Sequence, residues 1–211
     1  MKKLLLAIAA VLFSASSYSQ INTGEFSVSE SSVYYGVRLG LNLSNLSGDG
    51  ETLGTKAGLN LGAVIGLRLS DTTPLFLESG LYYTQRGAEK GKTEVNLNYF
   101  EIPVLIKAGF NVTDDIAVLP FLGPTLSLGI SGKMKGYQKD EKTGDEEFYS
   151  ESSFGKAKYS RPDVGIKLGC GAEWNMIYVE LGYQFGIANI LDSDEFSQHG
   201  TALFFNLGVN F

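Results

Sequence analysis

The sequence predicts an all-β protein: an eight-stranded antiparallel transmembrane β-barrel with up-and-down strand order, preceded by a cleaved signal peptide. Three observations support this prediction. The chain begins with a short apolar leader, eight later segments alternate apolar and polar residues, and the connections between those segments alternate in length. Together they favour an exported chain that crosses a bilayer with strands instead of helices.

The first twenty residues have the features of a secretory signal. Lys2 and Lys3 give a positive start, residues 4–13 are apolar, and Ser17 and Ser19 are small residues suited to a cleavage site. The apolar stretch is about half of the roughly 20 residues that a spanning helix needs. We expect three parts: a signal peptide at 1–19, a periplasmic segment at 20–33, and one barrel domain at 34–211.

Composition argues against some partners and sites. The chain has 17 lysine and arginine residues against 23 aspartate and glutamate residues, a net charge of −6. This balance argues against nucleic acid as a partner, because nucleic acid is bound by neutralising its phosphates. Cys170 is the only cysteine, so neither an intramolecular disulfide nor a cysteine-based zinc cluster can form. We expect no cofactor.

Eight segments show the two-residue period of strands, in which successive side chains point to opposite faces. Each segment has at least ten residues, enough for a tilted strand to cross a bilayer. The predicted strands cover residues 34–43, 58–69, 75–86, 95–110, 116–130, 162–174, 176–187 and 201–211.

The connections between these strands alternate between long and short. The long ones are predicted at 44–57, 87–94, 131–161 and 188–200, and the short ones at 70–74, at 111–115 and around Asn175. Outer-membrane barrels have short periplasmic turns, longer extracellular loops and an even strand number that returns both termini to the periplasm. The pattern therefore predicts an outer-membrane location with both barrel termini periplasmic.

One face of the predicted strands is apolar and free of charge in its central part. The period alone does not tell whether this face fills a soluble, lipocalin-like barrel or contacts lipid. The lipid-facing interpretation predicts the following outward side chains: Val37, Leu39, Leu41, Leu61, Ile65, Leu67, Ile102, Val104, Ile106, Val164, Ile166, Leu168, Val179, Leu181, Leu203, Phe205, Leu207 and Val209.

The opposite face favours the lipid-facing interpretation because it is rich in glycine. The interior of an eight-stranded barrel is only wide enough to be filled by side chains, so large charged residues there need very small neighbours. The glycines on this face are Gly36, Gly40, Gly62, Gly66, Gly80, Gly123, Gly165, Gly169, Gly182, Gly186 and Gly208.

The charges on the glycine-rich face are balanced. Buried ions are tolerated only when they are paired and hydrogen-bonded, so a balanced set suits a closed interior. We expect an interior charge network of four cations, Arg38, Arg68, Lys107 and Lys167, and four anions, Glu78, Glu101, Glu173 and Glu180.

Outward-register aromatic residues cluster at both ends of the strands. Amphipathic rings favour the headgroup level, and membrane barrels carry aromatic belts at both interfaces. We expect two aromatic girdles: Tyr35, Phe110, Trp174 and Phe211 at the short-turn rim, and Tyr83, Phe100 and Phe185 at the long-loop rim.

Two features of the sequence resemble known outer-membrane proteins. The terminal alternation Phe205, Leu207, Val209 and Phe211 resembles the signal by which barrels engage the barrel-assembly machinery during biogenesis. The stretches YFEIPVLIKAGF (99–110) and PFLGPTLSLGI (120–130) resemble strands of the PorT-like outer-membrane β-barrel domain family of Bacteroidetes, a similarity that extends over residues 33–211. The resemblance implies the fold and the location. It supplies no catalytic motif, because the family is functionally mixed.

Three prolines depart from the ideal strand pattern. Pro103, Pro120 and Pro124 each remove a donor from a strand ladder. We therefore expect irregular pairing between the fourth and fifth predicted strands.

Few residues suggest chemistry. His199 lies near Ser197, Asp192, Asp194 and Glu195 in the last long connection, an arrangement that suggests either a loop-based hydrolase or a cation site. The sequence shows neither an oriented nucleophile beside the histidine nor the spacing of an EF-hand loop. We expect a protein that is not an enzyme and holds no metal.

Residues 131–161 form the longest and most charged connection. Its arms KMKGYQ and EEFYSES can pair as a hairpin around residues 142–145, and the edge of such a hairpin can bind an extended partner by strand addition. A flexible solvated loop is the alternative for this segment.

The leading functional hypothesis is a non-enzymatic outer-membrane barrel with a side-chain-filled polar interior. It contacts outer-membrane lipid and acts structurally or adhesively through its extracellular loops, chiefly 131–161. The first alternative is a component of an envelope secretion or assembly complex, as the PorT-like resemblance implies. The further alternatives are a loop-based outer-membrane hydrolase and a soluble ligand-binding barrel.

Overall fold

A computed structural model describes residues 33–48, 54–70, 74–139, 146–154, 159–190 and 198–211. The predicted signal peptide, 1–19, and residues 20–32 lie outside the described residues. No helix among the described residues is long and apolar enough to cross a membrane. The strands are β1 (Val33–Gly48), β2 (Gly54–Arg68), β3 (Leu75–Lys90), β4 (Thr93–Ala108), β5 (Phe110–Asn111), β6 (Ile116–Lys139), β7 (Glu146–Ser152), β8 (Pro162–Trp174), β9 (Ile177–Gly186) and β10 (Gln198–Asn210).

Eight of these strands form a closed antiparallel barrel. The sheet runs in the order β4, β3, β2, β1, β10, β9, β8, β6, and β4 also pairs with β6, which joins the two ends of the sheet. β5 is a two-residue addition to β6, while β7 pairs with the distal part of β6. The predicted fold class, an eight-stranded up-and-down barrel, is confirmed.

The strands are staggered around the barrel. The pairing that starts at Val33 passes through Leu67, Leu77, Ile106, Leu122, Leu168, Tyr183 and Leu203 and returns to β1 at Leu43, ten residues further along. A staggered closure of this kind tilts the strands by roughly 35–45° from the barrel axis. It also places apolar side chains beside one another in a continuous outer ring.

The apolar face points outward. Leu39 is 55% exposed whereas its neighbour Arg38 is 1% exposed, and the same contrast separates Ile102, at 47%, from Glu101, at 0%. A soluble barrel with an apolar ligand cavity would have the opposite arrangement. The soluble-barrel alternative is therefore excluded, and the outer wall is a lipid-contacting surface.

The strands extend further on one side of the barrel than predicted. Residues 87–94, predicted as a long connection, belong mainly to β3 and β4, which pair as far as Lys90 and Thr93 and leave a two-residue turn. Gly91 in this turn has φ +58°, which suits the first central position of a two-residue hairpin. The prediction of a long connection here is wrong, because backbone pairing continues after the outward apolar pattern has ended.

The polarity of the two faces reverses along β4. Towards the extracellular end of β4, which is its N-terminal end, the outward side chains change from apolar to polar: Phe100 is the last apolar one, and Asn98, the next outward residue, donates to Ser131. Its inward side chains change from charged to apolar beyond Glu101, where Tyr99 is buried. Beyond this level the barrel is built like a water-soluble one, with an apolar core inside. The reversal places the extracellular membrane boundary at Phe100.

Strand pairing is interrupted near the prolines. The β4–β6 ladder lacks partners between Pro103 and Ile106, and the β3–β4 ladder is broken beyond Ser79, whose hydroxyl donates to the Pro103 carbonyl at 2.8 Å. The register shift between β4 and β6 lies further along, at residues 98–99. The side chain of Ser79 thus replaces part of the missing ladder.

Candidate functional site

The inner ion cluster (Arg38, Glu78, Lys107 and Glu180) lies near the periplasmic end of the barrel interior. Glu78 is its centre: Oε1 lies 2.8 Å from Lys107 Nζ, and Oε2 lies 3.4 Å from Arg38 Nη2. Tyr34 donates its hydroxyl to the same carboxylate at 2.6 Å. Lys107 Nζ also lies 3.7 Å from Glu180. Each charge is thus matched by an opposite charge in a space closed to water.

The outer ion cluster (Arg86, Glu101, Asp163 and Lys167) lies closer to the extracellular side. Arg86 and Lys167 both pair with the fully buried carboxylate of Glu101, and Gln184 donates to it at 3.0 Å. Arg86 also pairs with Asp163 at 2.9 Å. Glu101 is therefore the group on which two cations and one amide converge.

An aromatic pair separates the two clusters. Phe121 and Phe204 stack with ring centroids 6.2 Å apart. Lys107 Nζ lies 5.3 Å from the Phe121 ring centroid, and Lys167 Nζ lies 4.9 Å from that of Phe204. The rings keep the two ammonium groups apart and offer each a favourable cation–π contact.

Apolar layers close both ends of the interior. One buried layer lies at the periplasmic end and contains Tyr34, Phe76, Ala117, Leu119 and Tyr178. The other lies beyond the outer ion cluster and contains Leu46, Ala88, Val95, Leu97, Tyr99, Tyr159 and Ile190. Within the described residues, the barrel interior is a packed core.

Glycines make room for the interior aromatic rings. A Cβ atom at Gly66 would overlap the Tyr34 ring, and one at Gly169 would lie 2.6 Å from the Phe121 ring. The size argument made for the glycine-rich face thus applies to aromatic rings as well as to charged side chains.

The interior charges differ in part from the predicted set. Arg68 is half-buried at the periplasmic rim, where its Nε donates to the Ser70 carbonyl at 2.9 Å, and Glu173 accepts from Asn210 at 2.5 Å. The structure also buries Arg86 and Asp163, which the sequence prediction did not include in the interior charge network. Both lie in the inward register of their strands, so alternation alone was enough to find them. With Arg68 at the rim, the described buried charges are four cations, Arg38, Arg86, Lys107 and Lys167, and five anions, Glu78, Glu101, Asp163, Glu173 and Glu180, so the predicted four-to-four balance becomes four to five.

The predicted girdle residues lie at the two rims of the barrel. Tyr35, Phe110, Trp174 and Phe211 are exposed at the short-turn end, where the backbones of Tyr35 and Phe211 are hydrogen-bonded to each other. At the other rim, Phe100 and Phe185 are exposed, and Tyr83 packs edge-on against Phe100 at 6.4 Å.

A hairpin extends beyond the outer rim. The arms predicted to pair do so, from Lys133 opposite Ser152 to Lys139 opposite Glu146, while the turn at 142–145 lies outside the described residues. Tyr137 and Phe148 face each other with ring centroids 5.5 Å apart and are exposed. The hairpin therefore presents an aromatic pair to solvent.

The structure describes only His199 among the candidates for chemistry in the last long connection. His199 Nδ1 lies 3.0 Å from the carbonyl oxygen of Ala188. The neighbouring Asp192, Asp194, Glu195 and Ser197 lie outside the described residues. In the described parts of the chain, no three histidine, cysteine, aspartate or glutamate side chains are grouped so as to hold a metal ion.

An apolar outer wall around a filled, charge-paired interior places this chain among the outer-membrane β-barrel proteins, and it resides in the outer membrane. The chain belongs to the outer membrane protein beta-barrel domain family, whose model matches residues 18–192.

Several solved structures are similar to this chain. Ail, the attachment invasion locus protein of Yersinia pestis, has 14% identity and a TM-score of 0.45, with 86% of this chain and 100% of that chain covered. Neisserial surface protein A has 18% identity and a TM-score of 0.46, with 86% and 98% covered. A major outer membrane protein from Thermus thermophilus has 14% identity and a TM-score of 0.48, with 86% and 100% covered. No curated protein matches the chain.

Proposed function

We propose that this protein is a non-enzymatic outer-membrane anchor that contacts another molecule or cell through its extracellular β6–β7 hairpin. The exposed aromatic pair on the hairpin carries this proposal. Tyr137 is 49% exposed and Phe148 is 55% exposed, although both lie beyond the lipid-contacting wall. Tyrosine is among the residues that most often dominate binding at protein interfaces, where aromatic residues are enriched.

The reach of the hairpin supports a contact role. β6 continues from the barrel wall to Lys139 without interruption. At roughly 3.3 Å per residue, the part of β6 from 131 to 139 extends about 30 Å along the strand. The aromatic pair is thereby held away from the membrane surface.

The edge of β7 offers a second mode of contact. Among the described strands, β7 pairs with β6 alone, so its other edge faces no described strand. An unpaired edge presents backbone donors and acceptors that suit an extended peptide segment. A protein partner can therefore meet both the aromatic pair and the strand edge.

The absence of enzymatic activity is part of the proposal. Its support is that the charged side chains of the two ion clusters are engaged in ion pairs and that His199 Nδ1 lies against a backbone carbonyl. A loop-based hydrolase would lose its activity on lipid or peptide substrates in His199→Ala. We expect the wild type and this variant to show the same background rate.

The attachment of cells that display the protein tests the hairpin directly. Tyr137→Ser/Phe148→Ser should reduce attachment to partner cells or surfaces by about tenfold, because two aromatic anchors are lost. Val112→Ser is the matched control, since Val112 is 66% exposed at the opposite, short-turn end. Equal attachment by the hairpin variant and the wild type would contradict the proposal, as would a wild type that attaches no better than cells without the protein.

A component of an envelope secretion or assembly complex is the second candidate. The PorT-like resemblance of residues 99–110 and 120–130 favours it, together with the open edge of β7. Chemical crosslinking in intact cells distinguishes the two candidates. A stoichiometric envelope partner that is lost from the hairpin variant would support the complex, whereas attachment without such a partner would support the anchor.

A further inference from the structure

A polar cleft lies on the outer face of the barrel wall, directly beyond the extracellular aromatic girdle. It has a volume of about 440 Å³ and is lined by residues from β2, β3, β4 and β6. In β4 the lipid-facing Phe100 is followed on the same face by Asn98, Asn96 and Glu94, which lead into the cleft. The cleft therefore opens beside the membrane surface, and Arg86 of the outer ion cluster forms part of its lining.

The cleft has three lysines, Lys56, Lys133 and Lys135, and two of them contact one carboxylate. Lys56 from β2 donates to Glu94, and Lys135 Nζ from β6 lies 3.6 Å from the other oxygen of Glu94. The hydrogen bond from Lys56 is the main cause that holds the pKa of Glu94 below its usual value, so this carboxylate stays ionised. Arg86 also lines the cleft but is paired with Glu101 and Asp163, so the three lysines against Glu94 leave the cleft with an excess of positive charge.

Lys133 carries much of this excess. It lies opposite Asn96 in the β4–β6 ladder and is exposed. Among the residues that the structure describes, none provides an anionic partner for it. Lys133 and Lys135 are two positions apart on one strand, so their side chains leave the same face with a spacing of roughly 7 Å. Their ammonium groups can approach one anion from the same side.

Neutral polar groups complete the lining. Asn98 donates to the Ser131 hydroxyl at 3.0 Å, and the Gln85 side chain accepts from the Leu59 backbone N–H at 3.3 Å. Amide and hydroxyl groups of this kind are suited to sugar hydroxyls, whereas ammonium groups are suited to phosphate. The lining thus combines the two chemistries that a phosphorylated sugar requires.

The position of the cleft identifies the source of such a group. Aromatic girdles mark the headgroup level of a bilayer, and the cleft lies immediately beyond one of them. The outer leaflet of a Gram-negative outer membrane consists largely of a glycolipid whose headgroup is a phosphorylated disaccharide. We propose that this cleft binds that headgroup, with Lys133 and Lys135 contacting a phosphate and the amides contacting the sugar.

Glu94 has a definite role in this proposal. It holds Lys56 and Lys135 in place while no lipid is bound, and it competes with the incoming phosphate for the same two ammonium groups. Removal of its charge should therefore strengthen lipid binding, while removal of the charge of Lys133 should weaken it. Two opposite effects within one cleft cannot both arise from misfolding.

The test measures lipid A binding to the full protein in dodecyl maltoside micelles by native mass spectrometry. The wild type should bind bisphosphorylated lipid A with one molecule per barrel. Lys133→Gln should weaken this binding by roughly fivefold and Glu94→Gln should strengthen it by a similar factor. Lys90→Gln is the matched control, because it removes the same charge from an exposed extracellular position outside the cleft lining.

Three results would overturn the proposal. The first is equal binding of enzymatically dephosphorylated lipid A. The second is an equal loss of binding in Lys133→Gln and Lys90→Gln, which would reflect overall charge alone. The third is full competition by inorganic phosphate at equal concentration, which would indicate a free anion instead of the lipid headgroup. Heat-modified mobility on gels verifies that each variant has folded.

Discussion

Glu101 is the residue on which the outer ion cluster depends. Its carboxylate is fully buried and neutralises both Arg86 and Lys167, and it also accepts from Gln184 and Ser127. A buried ion pair contributes little beyond its desolvation cost, but removal of one partner leaves an uncompensated charge. The outer cluster is therefore sensitive to a single change at its centre.

We predict that Glu101→Gln destabilises the barrel by about 3 to 5 kcal/mol, because two buried cations lose their counter-ion. Urea unfolding of the protein refolded in phosphatidylcholine vesicles measures this change. Asp114→Asn is the control, since Asp114 is exposed in a periplasmic turn and loses the same charge. If the free energy of unfolding changed equally little in both variants, the outer ion cluster would not contribute to the stability of the barrel.

At the scale of the element, the strands carry two patterns joined at the membrane boundary. Within the membrane the outward side chains are apolar and the inward ones are polar, and beyond Phe100 this arrangement is reversed. One strand can suit both the lipid and the aqueous environment, because neighbouring positions always point to opposite faces. The adjacent aromatics Tyr99 and Phe100 mark the change in β4, with one ring in the extracellular core and the other in the girdle.

Several glycines within the strands make room for aromatic rings of neighbouring strands. We predict that Gly66→Ala destabilises the barrel by about 1 to 3 kcal/mol, because its Cβ would overlap the Tyr34 ring and the packed interior cannot expand without strain. Gly200→Ala is the matched control, since its Cβ would lie 4.0 Å from the nearest atom of Leu46. Comparison of the two unfolding midpoints in urea measures the effect, and equal midpoints would contradict it.

In the barrel as a whole, the described residues fill the interior along its axis. Two ion clusters, an aromatic pair between them and an apolar layer at each end fill the interior. Eight strands enclose only enough room for side chains. The outside is where this barrel can meet other molecules, at the hairpin and at the polar cleft.

A filled interior has a measurable consequence. We predict that the purified wild type, inserted into planar bilayers, gives no steady conductance, because the side chains of the described strands pack the interior. A general porin inserted under the same conditions is the positive control for insertion and recording. Conductance steps that increase in number with the amount of inserted protein would show that the interior opens.

The sequence by itself determined the fold class, the number of strands and the face that contacts lipid. Strand alternation is a local property, because Leu39 and Arg38 are neighbours in the chain and must point to opposite sides of the wall. The glycine-rich face then indicated which side is the interior, since large charged side chains in so narrow a barrel need very small neighbours. The assembly signal at residues 205–211 and the cleaved leader stay predictions from the sequence. The aromatic girdles were also visible as outward-register rings at the strand ends.

Which groups meet across the barrel became apparent from the folded chain alone. Glu101 of β4 pairs with Lys167 of β8, which lies 66 residues further along the chain, and the polar cleft joins residues from four strands. These contacts depend on the stagger with which the sheet closes, a property of all the strands together. Nor did the residue pattern indicate that β3 and β4 continue past the membrane, because the outward apolar pattern ends there while the backbone ladder does not.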